Sequence, residues 1–171
     1  MTDIAETALR PAQLLVLDPR QAGWPAALAA AGSDTAVLLL DAERDGLQQV
    51  AEVAAEYAPL KAIHLPEHGV PGQVVLGRTV LSAAHLTASA ATLAKLADTL
   101  APEGVLRLGG EPGRGVLGRR LADLLSEVVG RAVLPARHSP VLALTAGAAG
   151  TAPWPVWSQP GTAILPAVAG A

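Results

Sequence analysis

Four short aliphatic runs constrain this chain more than any other feature: Gln13–Leu17, Ala36–Leu40, Ala62–Leu65 and Val105–Leu108. Each is too short for a helix, and each is followed within a few residues by Asp, Pro or Gly, as expected of buried strands with a turn at the C-terminal end. The stretches between them are long enough for helices. Asp45 precedes Leu47, Val50, Ala51, Ala54 and Ala58, an amphipathic spacing with an N-cap residue in front and Pro59 behind. Leu86, Leu93, Leu96 and Leu100 predict one long or two short helices between Ser82 and Leu100. Leu117, Leu121, Leu124, Leu125 and Val128 give a further stripe ended by Gly130.

Strands alternating with helices require a mostly parallel sheet, helices on both faces, and ligand sites at the strand C-terminal ends. Trp24–Ala31 fits a short helix, Ala132–Leu134 a fifth strand. Gln73–Leu76 and Thr79–Leu81 read as the arms of a small hairpin around Gly77-Arg78, placed after the third strand. The predicted organisation is an N-terminal segment (1–12), an α/β domain (13–138) and an uncharged Pro/Gly/Ala-rich tail (139–171). Prolines at 140, 153, 155, 160 and 166 exclude a continuous helix from that tail.

The net charge of −3 gives no field that would attract nucleic acid or an anionic membrane. Arginines cluster in the second half, but Glu103, Glu111, Asp123 and Glu127 are interleaved with them. With no cysteine, the chain has no thiol nucleophile, thiolate metal site or disulfide. Met1–Gln13 contains Asp3 and Glu6 and lacks the basic start and apolar centre of a Sec signal, and no apolar run is long enough to span a bilayer.

Chemistry is expected where the third and fourth runs end, at Pro66-Glu67-His68-Gly69 and at Gly109-Gly110. His64, Glu67 and His68, with His85 or Glu111, are candidate metal ligands; Pro66 interrupts the extension that would set His64 and His68 on one face, and no metal or cofactor is expected. Ser82, Thr79 and Ser139 are the candidate hydroxyl nucleophiles. Gly113-x-Gly115-x-x-Gly118 follows a strand and opens a helix, as a dinucleotide or anion-binding loop would, with Arg114 beside it. It comes late in the chain, and no acid ends the next strand.

Residues 38–51 (Leu-Leu-Leu-Asp-Ala-Glu-Arg-Asp-Gly-Leu-Gln-Gln-Val-Ala), 60–72 (Leu-Lys-Ala-Ile-His-Leu-Pro-Glu-His-Gly-Val-Pro-Gly) and Leu76-Gly77 resemble domain of unknown function 4347 over about residues 14–137. Proteins of that kind are large bacterial surface or secreted proteins, and the domain is similar to caspase-like cysteine peptidases. The resemblance implies a caspase-like three-layer α/β sandwich with His-Gly after one strand and Gly-Cys after its neighbour. His68-Gly69 matches the first motif. The second falls on Leu108-Gly109-Gly110, which puts glycine at the nucleophile position, and Pro66-Glu67 replaces the Val-Ser that usually precedes His-Gly.

The expectation is therefore a pseudoenzyme: a structural or interaction module with no catalytic residue, in which His68, Gly69, Gly109 and Gly110 are vestigial. A hydrolase using a nucleophile other than cysteine near His68, and a nucleotide or anion binder through Gly113, Gly115 and Gly118, are the alternatives. The tail, carrying Trp154 and Trp157, is expected to bind a protein partner, to self-assemble or to pack on its own domain. The family context favours the cell surface or secretion by a route other than Sec, with the cytoplasm as the alternative.

Overall fold

The computed structural model describes residues 10–135, together with the backbone of two strands in the tail, Val156–Gln159 and Thr162–Ile164. In chain order the first elements are β1 (Gln13–Leu17), α1 (Trp24–Ala30), β2 (Thr35–Leu39), α2 (Gly46–Tyr57) and β3 (Leu60–Leu65). A three-stranded antiparallel sheet follows, made of β4 (Gly69–Val70), β5 (Gln73–Leu76) and β6 (Thr79–Ser82). The chain continues through α3 (Leu86–Thr99), β7 (Leu100–Leu108), a 3-10 turn at Glu111–Gly113, α4 (Gly115–Val129) and β8 (Ala132–Pro135). The tail strands are β9 (Val156–Gln159) and β10 (Thr162–Ile164).

The main sheet has the order β10-β9-β2-β1-β3-β7-β8. All pairings are parallel except that between β10 and β9. Strand alternation sends Leu14, Val16, Ala36, Leu38, Ile63, Leu65, Leu106 and Leu108 to one face. There they meet Leu47, Val50 and Val53 of α2, Leu93 and Leu96 of α3, and Leu121 and Leu125 of α4 in a single aliphatic core. The opposite face has a smaller cluster, Leu15, Leu17 and Val37 under Ala27 of α1, with Ala31 just beyond the helix. The architecture is thus α/β with helices on both faces; among the described residues three lie on one side and one short helix on the other.

Helix boundaries follow from local chemistry. The Asp45 side chain accepts from the Gln48 N–H at 3.0 Å and caps α2. Gly130 ends α4 in the left-handed conformation, φ 66°, and its N–H donates to the Ser126 carbonyl. The stretch before the fourth run is a single helix, one of the two forms expected. β7 differs from the sequence reading: it begins at Leu100, five residues earlier than expected. Leu100 pairs with Leu60, and an irregularity lets residues 101–104 bulge before Val105 resumes the ladder opposite Ala62. The hairpin also gains a third strand: Val75 N–H donates to the His68 carbonyl at 2.8 Å, and Gly69-Val70 then pairs with Val74 and Gln73.

Candidate functional site

β3 and β7 are neighbours whose last register pair is Leu65 with Leu108. Pro66-Glu67-His68 and Gly109-Gly110 therefore leave the sheet side by side, as the family resemblance implies. What fills the space between them is the Glu67 side chain. A Cβ added to Gly110 would lie 2.6 Å from Glu67 Cβ and 3.0 Å from its Cγ, and Gly110 has φ 59° and ψ −148°, a conformation almost exclusive to glycine. The position facing the histidine loop thus has neither a nucleophile nor room for one.

The glycine of His68-Gly69 is equally constrained. A side chain on Gly69 would enter the Gln73 carbonyl and approach Pro112 Cγ at 3.2 Å. Gly72 donates its N–H to the Pro112 carbonyl at 3.0 Å, and its own Cβ position lies 2.9 Å from Leu117 Cβ. The β4–β5 turn is thereby seated on the 3-10 turn and the first residues of α4. The cavity that reaches Glu67, lined also by Leu15, Leu17, Gln21, Ala27 and Leu65, measures about 10 Å³. That is the size of a single water, whereas small-molecule pockets span roughly 300–1,000 Å³.

Beside these loops β1 ends in Asp18, which is completely buried. Its carboxylate accepts from the Arg20 N–H and Nε, both at 2.9 Å, and from Nη2 at 2.6 Å. Burial pushes the Asp18 carboxyl up; the hydrogen bonds and charge of Arg20, with a smaller contribution from His68, outweigh this and leave it below the ordinary value. His68 is therefore within electrostatic reach of Asp18. Arg20 Nη2 also donates to the Gly77 carbonyl at 2.9 Å, which ties β1 to the turn between β5 and β6. Gly77, at φ 57°, packs beneath the Asp41 and Arg44 carbonyls, where no side chain fits. Thr79 Oγ1 donates to Asp45 Oδ1 at 2.7 Å. Buried Gln49 closes the loop from the other side, accepting from the Asp41 N–H at 2.9 Å and donating to the Asp41 and Asp45 carbonyls.

The remaining candidates separate in space. His64 is buried in β3, with Nε2 2.8 Å from Gln13 Oε1, while Gln13 Nε2 donates to Asp34 at 3.0 Å. The Gln13 amide orientation makes His64 Nε2 the donor, so Nδ1 carries the lone pair; it is buried and makes no hydrogen bond. Burial first, then the neighbouring Arg107 charge, lower the His64 pKa to about 4, against a smaller opposing pull from Asp34. Among the described residues no group of three or more His, Asp or Glu is placed to hold a metal.

Ser82 Oγ lies 2.7 Å from His85 Nδ1, but this is a local contact at the start of α3, and Ser82 is buried. β5 stands between β6, which ends in Ser82, and the strand that follows His68. Ser139, the tail outside its two strands, and the side chains of Trp154 and Trp157 lie outside the described residues.

In the glycine loop, a side chain on Gly113 would enter the Leu108 carbonyl, and one on Gly118 would enter Gly113. These two glycines let α4 start hard against the end of β7. Gly115, at φ 65°, faces open space, and the Arg114 guanidinium is paired with Glu111.

Sequence reasoning located the two strand ends and missed the Asp18–Arg20 ion pair, which ties the end of β1 to the turn between β5 and β6. Asp18-Pro19 reads as a turn after the first run; that Arg20 just beyond it reaches a carbonyl 57 residues away does not show in the sequence.

The fold and the strand-end loops define a parallel α/β domain with a His-Gly strand end and no facing nucleophile. A family model described as Domain of unknown function (DUF4347) matches residues 14–141, and the chain belongs to that family. No curated protein and no solved structure matches it. No helix among the described residues is long and apolar enough to cross a membrane.

Proposed function

We propose that this domain is a non-catalytic structural or protein-interaction module, descended from a caspase-like peptidase fold and working within a cell-surface or multi-subunit assembly. The observation that carries the reading is the packing of Glu67 against Gly110. In a caspase-like site the histidine after one strand serves a nucleophile after its neighbour, where the imidazole can assist attack and leaving-group protonation. Here the second position is a glycine whose Cβ space is taken by the residue preceding the histidine. The surrounding glycines and the Asp18–Arg20 pair serve packing, which leaves a rigid loop platform in place of a cleft. The tail residues Trp154 and Trp157 are the proposed partner anchors.

The test is incubation of the purified protein with a diverse peptide library and a serine-reactive fluorophosphonate. Neither cleavage nor labelling is expected. Labelling abolished by His68→Ala would overturn the proposal. The alternative, a hydrolase using a nucleophile other than cysteine near His68, predicts labelling that His68→Ala abolishes.

A further inference from the structure

We infer that the exposed aliphatic side chains of the β4–β5 turn and of the first turn of α4 form a docking surface for a protein segment that combines apolar and acidic side chains. This rests on the reading of the domain as an interaction module, and gives that module a surface among the described residues and a partner chemistry. The three most exposed large hydrophobic side chains among those residues are Val116 at 72%, Leu117 at 58% and Val70 at 54%. Scattered singly, they would need no explanation. They are not scattered, because the turn that follows Val70 is seated on α4. The Gly72 N–H donates to the Pro112 carbonyl, and a Cβ on Gly72 would lie 2.9 Å from Leu117 Cβ. Pro71, also exposed, links Val70 to Gly72.

Nothing in the fold calls for aliphatic side chains at these positions. The buried face of α4 is centred on Leu121 and Leu125, and a helical advance of about 100° per residue puts Val116 on the opposite side. A first helical turn is where carboxylates are favoured, because they face the positive end of the helix dipole. The first turn of α4 has no acid and presents Val116-Leu117 to water instead.

Charge selects the occupant. Arg119 and Arg120 follow Val116 at helical i+3 and i+4 spacing, so they border it on the same face, and both are exposed. Arg114 is paired with Glu111. Neither Arg119 nor Arg120 makes an ion pair among the described residues, although Asp123 stands one turn further along the helix. An apolar centre bordered by two uncommitted guanidinium groups fits a segment whose apolar anchors are accompanied by Asp or Glu. The same charges disfavour a second copy of this chain, since a two-fold contact sets each patch against itself and would bring the arginines of both copies together. An anionic bilayer would meet these arginines too, but the chain as a whole carries a net charge of −3, which opposes its approach.

The test is selection of a phage-displayed random peptide library on the immobilised full chain. Enriched peptides should combine large apolar residues with Asp or Glu, and a synthetic copy of the leading peptide should bind more weakly as salt is raised. Arg119→Glu combined with Arg120→Glu, and separately Val116→Ser combined with Leu117→Ser, should each weaken that peptide about tenfold with the circular dichroism unchanged. If the serine pair disturbs the fold, Val116→Ser alone, at the most exposed of the three positions, should still weaken it about threefold. No enrichment, enriched peptides without acidic residues, or binding that survives these variants overturns the inference. Binding that survives them but is lost with Trp154→Ala and Trp157→Ala overturns it while leaving the interaction-module reading intact. That reading fails separately, through probe labelling that His68→Ala abolishes. Self-association in sedimentation, or binding to phosphatidylglycerol vesicles, that Leu117→Ser removes also overturns the inference, since the occupant is then a second copy or a bilayer.

Discussion

Replacing Gly110 by alanine is the sharpest perturbation of the loop platform, because two separable costs meet at one atom. At φ 59° and ψ −148° an L-residue sits in a region populated almost only by glycine, at a cost of about 1–3 kcal/mol. The new Cβ would also lie 2.6 Å from Glu67 Cβ and 3.3 Å from its Cα. These atoms cannot swing aside as a side-chain terminus can, so relief needs a backbone shift, and overpacking of this kind costs about 1–3 kcal/mol. Gly110→Ala should therefore lose about 2–6 kcal/mol in urea denaturation followed by circular dichroism, lowering Tm by roughly 10 °C for a chain of this size. Glu67→Gly removes the clash and leaves the dihedral cost. In that background Gly110→Ala should cost only about 1–3 kcal/mol, which makes the coupling in the double-mutant cycle about 1–3 kcal/mol. A single-mutant loss below about 0.5 kcal/mol, or zero coupling, would mean that a side chain fits at the strand end, and the case for a filled site would fail.

Three further outcomes follow from the same geometry. His64 titrates at about 4 in the folded chain and near 6.5 unfolded, so the unfolded state binds more protons between those values and stability falls with pH across that window, by about 2 kcal/mol from pH 7 to pH 5. In His64→Leu this slope should vanish whatever its effect at pH 7, and an unchanged slope would refute the assignment. Arg20→Ala strands the buried Asp18 carboxylate and should cost about 2–3 kcal/mol, below the 3–5 of fully enclosed pairs because Arg20 is partly exposed; Arg20→Ala in an Asp18→Asn background should cost much less. The lowered Asp18 pKa adds stability that is full above its unfolded value near 3.8 and is lost as pH falls through the folded value, a window distinct from that of His64. Gln49→Leu leaves the Asp41 N–H and carbonyl without their buried partner and should cost about 1–3 kcal/mol, with faster hydrogen exchange at Asp41 as the local signature.

Much of the fold was legible because it is written in short-range signals. The aliphatic runs became β1, β2, β3 and β7, the Asp45 cap and the Gly130 terminator fell at helix ends, and the family resemblance implied that β3 and β7 end near one another. What escaped depends on partners distant in sequence. Leu100 is a strand residue only because Leu60 is opposite it, and Gly69-Val70 is a strand only because the hairpin folds back under the His68 carbonyl. The tail strands obey the same rule. Nothing in Val156–Gln159 distinguishes it from other uncharged Pro/Gly-rich sequence until Val37 and Leu38 of β2 are known to lie alongside. The candidate site was legible as a location and not as a mechanism, since its decisive contact, Glu67 on Gly110, crosses more than 40 residues.

The loops at the strand ends carry a consistent physical message. An active site keeps donors, acceptors and space uncommitted until substrate arrives, so strain and unsatisfied groups concentrate there. Here the His68 carbonyl is spent on Val75, the Asp18 carboxylate and much of the Arg20 guanidinium on each other and on Gly77, and the Cβ spaces of Gly69, Gly110 and Gly113 on neighbouring backbone or side chains. Gly110, at φ 59°, is a steric requirement of the packed loop. Selection on such a platform acts through packing. Substitutions at Gly69, Gly77 and Gly110 should therefore be read out first as lost stability, with any loss of partner binding following from it, whereas His68→Ala should leave stability nearly unchanged because the contact that fixes this residue is made by its backbone carbonyl.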